Sequence, residues 1–295
     1  MSEIELETFR SWTGRRREEH DHIGAWPVRA MRATLDEPGG EPAAGEPLPP
    51  AWHWLYFLEA TAASAIAHDG HARRGDFLPP VPLPRRMWAG GRIEWRASLR
   101  VGDAATRTSE IVAVEPKRGR TGTLVFVTVR HTLSTARGAC IVEEHDIVYR
   151  EAPAPGAPAV AVAVGADAPQ AAAWHRHWLP DAVMLFRYSA LTFNGHRIHY
   201  DQPYVTGEEG YPGLVVHGPL QATLLLHLAA GALPGRRLAR FEYRALSPAF
   251  AGEPLEIHGQ PEGDPAGAVG EARLWATTTH GRRTMAGTVA WAAAD

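Results

Sequence analysis

Two residues five positions apart carry side chains that could act together on a water molecule. Asn194 is the only asparagine among the 295 residues, and His199 follows it within the polar segment 188–201. An imidazole takes up and releases a proton near neutral pH, and an amide oxygen can hold a water molecule beside it. The segment therefore predicts acid–base chemistry, with His199 as the base and Asn194 as the group that orients water.

An apolar stretch at residues 213–233 begins beside a histidine–glycine pair, His217 and Gly218. The stretch is long enough to raise the question of a membrane span. It also contains two histidines, a proline and a glutamine, which favour a helix buried in a protein core. The first N–H groups of a helix attract negative charge, and glycine allows close approach to them. We therefore expect His217 and Gly218 to face the reacting group of a substrate.

The chain contains two diverged copies of one pattern. Residues 92–97 match residues 240–245, and in each copy a glycine and an acidic residue follow shortly. Two segments of alternating hydrophobicity then predict strands in each copy, at 124–130 and 140–149 in the first and at 272–279 and 284–291 in the second. In the second copy the strands follow the apolar helix. A curved antiparallel sheet around a central helix is the hotdog fold, so we predict an α+β protein of two tandem hotdog units that form a pseudo-dimer.

The predicted boundaries follow from composition. Residues 1–150 form the first unit, residues 151–173 are an Ala/Pro-rich linker, and residues 174–295 form the second unit. In the first unit, residues 51–68 predict a helix, and residues 78–86 predict a rigid Pro-rich loop with no counterpart in the second. Because the first unit has no asparagine, we expect it to complete the wall of a single site in the second unit.

The overall composition excludes several classes of partner. The formal charge is −3 and the isoelectric point is near 6.6, so neither nucleic acid nor an anionic membrane is expected as a partner. A single cysteine cannot form an internal disulfide, which fits a reducing compartment. The first residues lack the pattern of a signal peptide. These features predict a cytoplasmic protein.

The segments 188–201 and 213–220 resemble the hydratase-2 motif of the MaoC-like enoyl-CoA hydratases. The likeness is greatest to the branch with two hotdog units, which includes the mesaconyl-C4-CoA and itaconyl-CoA hydratases and the mitochondrial 3-hydroxyacyl-thioester dehydratases. Four further segments also resemble that branch, and they extend the likeness over most of the chain outside the linker: residues 12–15, 77–80, 83–90 and 143–150.

The resemblance implies roles for individual residues. The usual motif has an aspartate five residues before the histidine; here His199 matches the histidine and Asn194 stands in place of the aspartate. An amide cannot titrate, so His199 would have to carry out both proton transfers of the reaction. A single water molecule would then supply both the hydroxyl and the α-proton. The N–H groups at His217 and Gly218 would face the thioester oxygen and stabilise the developing negative charge.

Arginines near the motif are candidates for binding the substrate. Arg85 and Arg86 could hold coenzyme A phosphates, and Arg187 and Arg197 could recognise a distal carboxylate; all four could equally pair with acidic neighbours. No metal site is expected, because His196 and His199 lack further ligands at a suitable spacing.

The resemblance implies reversible hydration of an α,β-unsaturated acyl-CoA, with a short branched dicarboxylyl group such as mesaconyl-C4 or itaconyl, giving citramalyl-CoA. Two alternatives stay open: a 3-hydroxyacyl-thioester dehydratase for longer straight chains, and a non-catalytic acyl-CoA binding protein. No cofactor is expected beyond the coenzyme A of the substrate. Monomer and homodimer both stay open.

Overall fold

A computed structural model describes residues 8–119, 122–151 and 172–294. Its strands form one antiparallel sheet in the order β1-β3-β4-β5-β2-β7-β10-β9-β8-β6. Their bounds are β1 (Arg16–His22), β2 (Arg85–Trp95), β3 (Ala104–Gly119), β4 (Gly122–Thr135), β5 (Gly138–Arg150), β6 (Trp174–Trp178), β7 (Arg236–Ala245), β8 (Leu255–Glu262), β9 (Gly270–Thr278) and β10 (Arg283–Ala293). Within the described residues each half contributes five strands, and one continuous sheet joins the two units of the predicted pseudo-dimer.

The helices lie between the strands in both halves. They are α1 (Ala25–Thr34), α2 (Ala182–Leu191), α3 (Gln202–Gly207) and α4 (Gly218–Ala232). Short 3-10 turns cover Trp52–Leu55, Ala63–Ala65 and Arg197–His199. The four predicted strands are confirmed as β4, β5, β9 and β10. β4, β5 and β10 extend beyond their predicted bounds at both ends, whereas β9 begins two residues before its predicted start and ends one residue before its predicted end.

The two halves meet where β2 pairs with β7, the strands that contain the repeated sequence. Ile93 lies directly opposite Phe241, its own counterpart in the repeat. On either side, Arg92 is opposite Glu242 and Glu94 is opposite Arg240. The arginine of each copy therefore faces the glutamate of the other across a local twofold axis. Opposite charges at facing positions favour this register, while the direct ion pairs of Arg92 are with Glu144 and Asp146 on β5.

The predicted apolar helix is confirmed as α4, which begins at Gly218 rather than at residue 213. It contacts β6, β7, β8, β9 and β10, and nine of its fifteen residues are buried, including Gln221 and Thr223. A helix covered on nearly all sides has no need of a polar face, which explains why no amphipathic pattern is visible in this stretch. Its amino end points to the boundary between the halves.

The prediction of a helix at residues 51–68 was wrong. The backbone takes a left-handed conformation at Ala51 (φ 68°) and again at Phe57 (φ 55°), so an α-helix cannot continue through either position. The N–H of Phe57 donates to the carboxylate of Asp21 instead of to a helical carbonyl, at 2.6 Å. Within the described residues, the first half therefore has no counterpart of α4, and short 3-10 turns at Trp52–Leu55 and Ala63–Ala65 stand in its place.

Most of the predicted linker, residues 152–171, lies outside the described residues. Among the residues described, no helix is long and apolar enough to cross a membrane.

Candidate active site

His199 is the last residue of a 3-10 turn (Arg197–His199) between α2 and α3, and it is 7% exposed. Its Nδ1 lies 2.7 Å from the backbone carbonyl oxygen of Val215. A carbonyl can only accept a hydrogen bond, so Nδ1 carries the proton and donates it. The neutral ring therefore presents Nε2 with a free lone pair, the form that a general base requires.

The ring of His199 stacks on that of His217, with centroids 3.6 Å apart and planes 19° apart. Burial lowers the pKa of His199 to about 4, against the opposing effect of the hydrogen bond to Val215. Burial and the neighbouring His199 also hold the pKa of His217 well below its ordinary value. Both rings are therefore neutral at pH 7. The Nε2 of His217 shares a hydrogen bond of 2.8 Å with the hydroxyl of Ser189.

Asn194 lies on the loop between α2 and the 3-10 turn and lines the main cleft. Its N–H donates to the carbonyl of Ser189 at 2.8 Å, and its Oδ1 accepts from the N–H of His196 at 3.0 Å. This acceptor contact fixes which side of the amide is oxygen. One lone pair of Oδ1 and the NH2 group stay without a partner among the described residues, so Asn194 can both accept from and donate to a bound molecule.

The amino end of α4 reaches the same cleft. Pro219, its second residue, lines the cleft, and Gly218 precedes it. A Cβ on Gly218 would lie 2.6 Å from Cε3 of Trp88, so any larger residue would collide with that ring. The N–H groups of Gly218 and Leu220 fall among the first donors of the helix, which have no partner within it. Unpartnered N–H groups and the helix dipole both favour negative charge at this end of α4, so these two N–H groups are candidates for holding an oxyanion.

A loop of the first half packs against the motif loop of the second. Gly70 has a φ of +90°, and a Cβ there would lie 1.8 Å from the carbonyl oxygen of Gly195, so only glycine fits. The neighbouring carbonyl of Asp69 accepts from the N–H of Arg197 at 2.9 Å. This contact between the halves places His71 beside His196, with ring centroids 4.0 Å apart.

Asp69, His71 and His196 form a cluster that sequence reasoning missed. Nδ1 of His71 lies 3.0 Å from a carboxylate oxygen of Asp69. Burial lowers the pKa of both imidazoles, and His71 holds the pKa of Asp69 below its ordinary value although burial alone would raise it. The three residues offer ligand atoms within 4.8 Å of one another, close enough to share a metal ion. The sequence signal was the presence of two histidines and two acidic residues among glycines at residues 68–76.

A second buried polar cluster lies on the first half's side of the cleft. The carboxylate of Glu143 is 2% exposed, and it accepts from the rings of His53 at 2.9 Å, Trp54 at 2.8 Å and His145 at 2.5 Å. Burial alone would raise the pKa of Glu143, but the two imidazoles hold it well below its ordinary value. Glu143 alternates in sequence with Ile141 and Tyr149 on the inward-facing side of β5. This alternation was visible in the sequence and could have indicated that Glu143 is buried.

The cleft has a volume of about 860 Å³ and is lined by both halves. The second half contributes Asn194, Gly195 and Pro219; the first half contributes, among others, His53, Trp54, His71, Arg86 and Trp88. The expectation that the first half would complete the wall of a single site agrees with this lining. The larger part of the cleft lies where the first half lacks a central helix.

Three of the four candidate arginines serve other contacts. Arg85 pairs with Glu209 at 3.2 Å, Arg197 pairs with Asp201 at 2.8 Å, and Arg187 donates to the carbonyl of Ala33 at 3.2 Å. None of the three lines the cleft, whereas Arg86 does. Arg85 and Arg86 differ because adjacent residues of a strand point to opposite faces of the sheet.

Residues 51–251 match the family described as hydroxyacyl-thioester dehydratase type 2. The chain is also 47% identical to the mesaconyl-C4-CoA hydratase of Chloroflexus aurantiacus, over 86% of this chain and 89% of that protein. The chain belongs to this family. A second member, the mitochondrial hydroxyacyl-thioester dehydratase type 2 of Schizosaccharomyces pombe, is 28% identical over 80% of this chain and 87% of its own length.

Solved structures agree on the fold. A MaoC-like dehydratase from Phytophthora capsici superposes with a TM-score of 0.65 at 13% identity, over 98% of this chain and 99% of that one. A Mycobacterium tuberculosis protein described as having a double hotdog fold superposes with a TM-score of 0.60 at 14% identity, over 95% and 96% of the two chains. The predicted double hotdog is therefore confirmed. As a member of a family of hydratases and dehydratases, the chain is an enzyme of the hydro-lyase class.

Proposed function

We propose that this enzyme adds water to mesaconyl-C4-CoA to give citramalyl-CoA, and that His199 and Asn194 carry the reaction. One observation carries the catalytic part: His199 is held as a neutral tautomer with Nε2 free, five residues after an asparagine that lines the cleft. The 47% identity to a mesaconyl-C4-CoA hydratase supports the choice of a short branched dicarboxylyl group.

Hydration needs a base that takes a proton from water, an electrophilic β-carbon and donors that stabilise negative charge on the thioester oxygen. Nε2 of His199 takes a proton from water that Asn194 orients, and the resulting hydroxyl bonds to the β-carbon. The electron pair of the double bond moves toward the thioester carbonyl, where the N–H of Gly218 stabilises the enolate oxygen. The proton on His199 then passes to the α-carbon, and the carbonyl forms again. The sum is one water added, with His199 returned to its neutral form.

The low pKa of His199 shapes this step. A base with a pKa of about 4 exists almost wholly in its neutral form at pH 7, but it is too weak to form free hydroxide. Proton transfer to Nε2 and bond formation at the β-carbon must therefore occur together. The amino end of α4 is what makes the concerted step feasible, because it lowers the energy of the enolate that forms at the same time.

The proposed reaction needs no metal and no cofactor beyond the coenzyme A of the substrate. The single chain already supplies both halves of the cleft, so catalysis requires no partner subunit. A cytoplasmic location is part of the same proposal, since a coenzyme A thioester is an intracellular substrate and Cys140 is a free buried thiol.

The test is kcat/KM on mesaconyl-C4-CoA, itaconyl-CoA, crotonyl-CoA and a long straight-chain 2-enoyl-CoA. A preference for the dicarboxylic substrates supports the proposal. A preference for straight chains would replace it with the activity named for the Schizosaccharomyces pombe relative, for which the 860 Å³ cleft offers room. No turnover of any substrate by folded protein would favour an acyl-CoA binding protein.

A further inference from the structure

The cleft contains one arginine without an acidic partner. Three arginines line it, and two are paired: Arg17 lies 3.5 Å from carboxylate oxygens of both Glu19 and Glu59, and Arg107 lies 2.7 Å from Glu19. The half-buried Arg86 lies directly opposite Tyr149 of β5, whose hydroxyl is its polar neighbour, and no carboxylate of the described residues forms an ion pair with it. A charge that is partly removed from water and lacks a counter-ion is costly, and a bound anion would relieve that cost.

The position of Arg86 on β2 places it beside the reaction centre. Residues two apart on a strand point to the same face and lie about 7 Å apart, so Arg86 shares its face with Trp88. The ring of Trp88 packs against Gly218, the residue whose N–H would hold the thioester oxygen. Electrostatic repulsion from Arg86 also contributes to the lowered pKa values of His71 and His196, the imidazoles next to His199.

The proposed substrate needs a cation at this place. In mesaconyl-C4-CoA the free carboxylate is attached to the β-carbon, the atom that receives the hydroxyl. Whatever binds that carboxylate must therefore lie next to the water held by His199 and Asn194. Coenzyme A phosphates are a poor match for Arg86, because the whole pantetheine arm separates them from the thioester.

We propose that Arg86 binds the β-carboxylate of the substrate and thereby selects dicarboxylic acyl groups. This inference rests on the proposed function. A planar guanidinium can donate two parallel hydrogen bonds to a carboxylate, which fixes the orientation of the β-carbon as well as binding it. The ion pair also offsets the repulsion between the carboxylate and an incoming oxygen that bears partial negative charge.

Two matched substrates test the assignment, since 3-methylcrotonyl-CoA carries a methyl group where mesaconyl-C4-CoA carries the carboxylate. Arg86→Gln should lower kcat/KM on mesaconyl-C4-CoA by about 10- to 100-fold, the scale of a hydrogen bond to a charged group. On 3-methylcrotonyl-CoA the same variant should stay near wild type. Arg86→Lys should recover part of the loss, and Arg187→Gln, a change outside the cleft, should alter neither rate. An equal loss on both substrates would overturn the assignment.

A binding experiment separates this inference from the proposed function. Methylsuccinyl-CoA and isovaleryl-CoA differ by the same carboxylate-for-methyl exchange, and neither has a double bond to hydrate. Calorimetry should show that the wild-type enzyme binds methylsuccinyl-CoA more tightly and that Arg86→Gln abolishes the difference. A preference that survives in folded Arg86→Gln would contradict the role of Arg86. If the binding preference depended on Arg86 but the enzyme did not hydrate mesaconyl-C4-CoA, the proposed function would be wrong. The role of Arg86 in binding the carboxylate would still stand.

Discussion

His199 stacks on His217 with ring centroids 3.6 Å apart, and the two rings are buried together between the motif loop and the first residue of α4. The stack joins the base of the proposed reaction to the helix end that would hold the enolate oxygen. Burial is the main reason that both rings stay neutral, and the neighbouring His199 lowers the pKa of His217 further.

The pH dependence of activity should reflect the low pKa of His199. The ordinary pKa of histidine is 6.5 and that of His199 is about 4, so the base form persists through the whole neutral range. We expect kcat/KM to stay level from about pH 8 to about pH 6 and to fall only as the pH approaches the lowered value. Steady-state rates across this range check the prediction, and an acid limb centred near 6.5 or above would contradict it.

The same pKa also affects stability. Between about pH 4 and 6.5 the unfolded chain binds a proton at His199 that the folded protein does not. Stability therefore rises with pH in this window, and the contribution of His199 is complete above 6.5 and lost as the pH falls through about 4. Urea unfolding at several pH values measures the effect. A His199→Gln variant should show a smaller slope, and an equal slope in both proteins would count against the shifted pKa.

Replacement of His199 should greatly lower activity without changing the fold. His199→Ala should lower kcat by at least about 100-fold, the usual scale of general acid–base catalysis, while circular dichroism stays unchanged. His177 is a matched control, because it is exposed and pairs with Glu256 away from the cleft. His177→Ala should keep the wild-type rate. A rate near wild type in both variants would remove His199 from the mechanism.

Asn194→Asp should keep part of the activity but change its pH profile. A carboxylate can still accept from the N–H of His196, so the loop geometry should survive. Its negative charge should raise the pKa of nearby imidazoles and move the acid limb of kcat/KM upward. Asn194→Ala, which removes the acceptor, is the comparison and should be much less active. If the Asp and Ala variants lost activity equally, Asn194 would do more than orient water.

Gly218→Ala should damage both packing and catalysis. The added Cβ would lie 2.6 Å from Trp88, and overpacking of this kind costs about 1–3 kcal/mol. Displacing the N–H of Gly218 should also lower kcat. Gly231→Ala tests the specificity of the effect in the same helix, because a Cβ there meets no atom within 4 Å. Gly231→Ala should leave the free energy of unfolding unchanged or raise it by up to about 1 kcal/mol. An equal loss of stability in both variants would contradict the packing argument.

The buried carboxylate of Glu143 should matter far more to stability than a partly exposed one with similar partners. Glu143→Gln should lower the free energy of unfolding by about 3 kcal/mol, because it removes one partner of a buried ionic network. Glu256 also binds two histidines, His175 and His177, at the surface. Glu256→Gln should cost at most about 1 kcal/mol. Chemical denaturation of both variants gives the comparison, and similar losses would contradict it.

The sequence predicted the features that depend on local patterns. The alternating segments predicted four strands, and the repeat at residues 92–97 and 240–245 predicted the duplication that the β2–β7 pair displays. The apolar stretch predicted α4. The wrong helix at residues 51–68 arose because apolar content cannot show that Ala51 and Phe57 take left-handed conformations, which tertiary contacts such as the Asp21 hydrogen bond stabilise.

The parts of the site that the sequence missed come from contacts between the halves. Asn194 and His199 are close in sequence, so the sequence alone was enough to propose them as a pair. His71 reaches His196 only because Gly70 allows its loop to touch Gly195, a contact between residues far apart in the chain. The sequence also could not show which arginine lies at the cleft. Arg85 and Arg86 are adjacent on β2 and point to opposite faces, and only the structure shows which face borders the cleft.

The most direct test of the central claim is hydration of mesaconyl-C4-CoA in isotopically labelled water. We predict that the wild-type enzyme places one labelled oxygen on the β-carbon of citramalyl-CoA, as detected by mass spectrometry, and that folded His199→Ala does so at least about 100-fold more slowly. Absence of labelled product with the wild-type enzyme, or equal rates in the two proteins, would contradict the account.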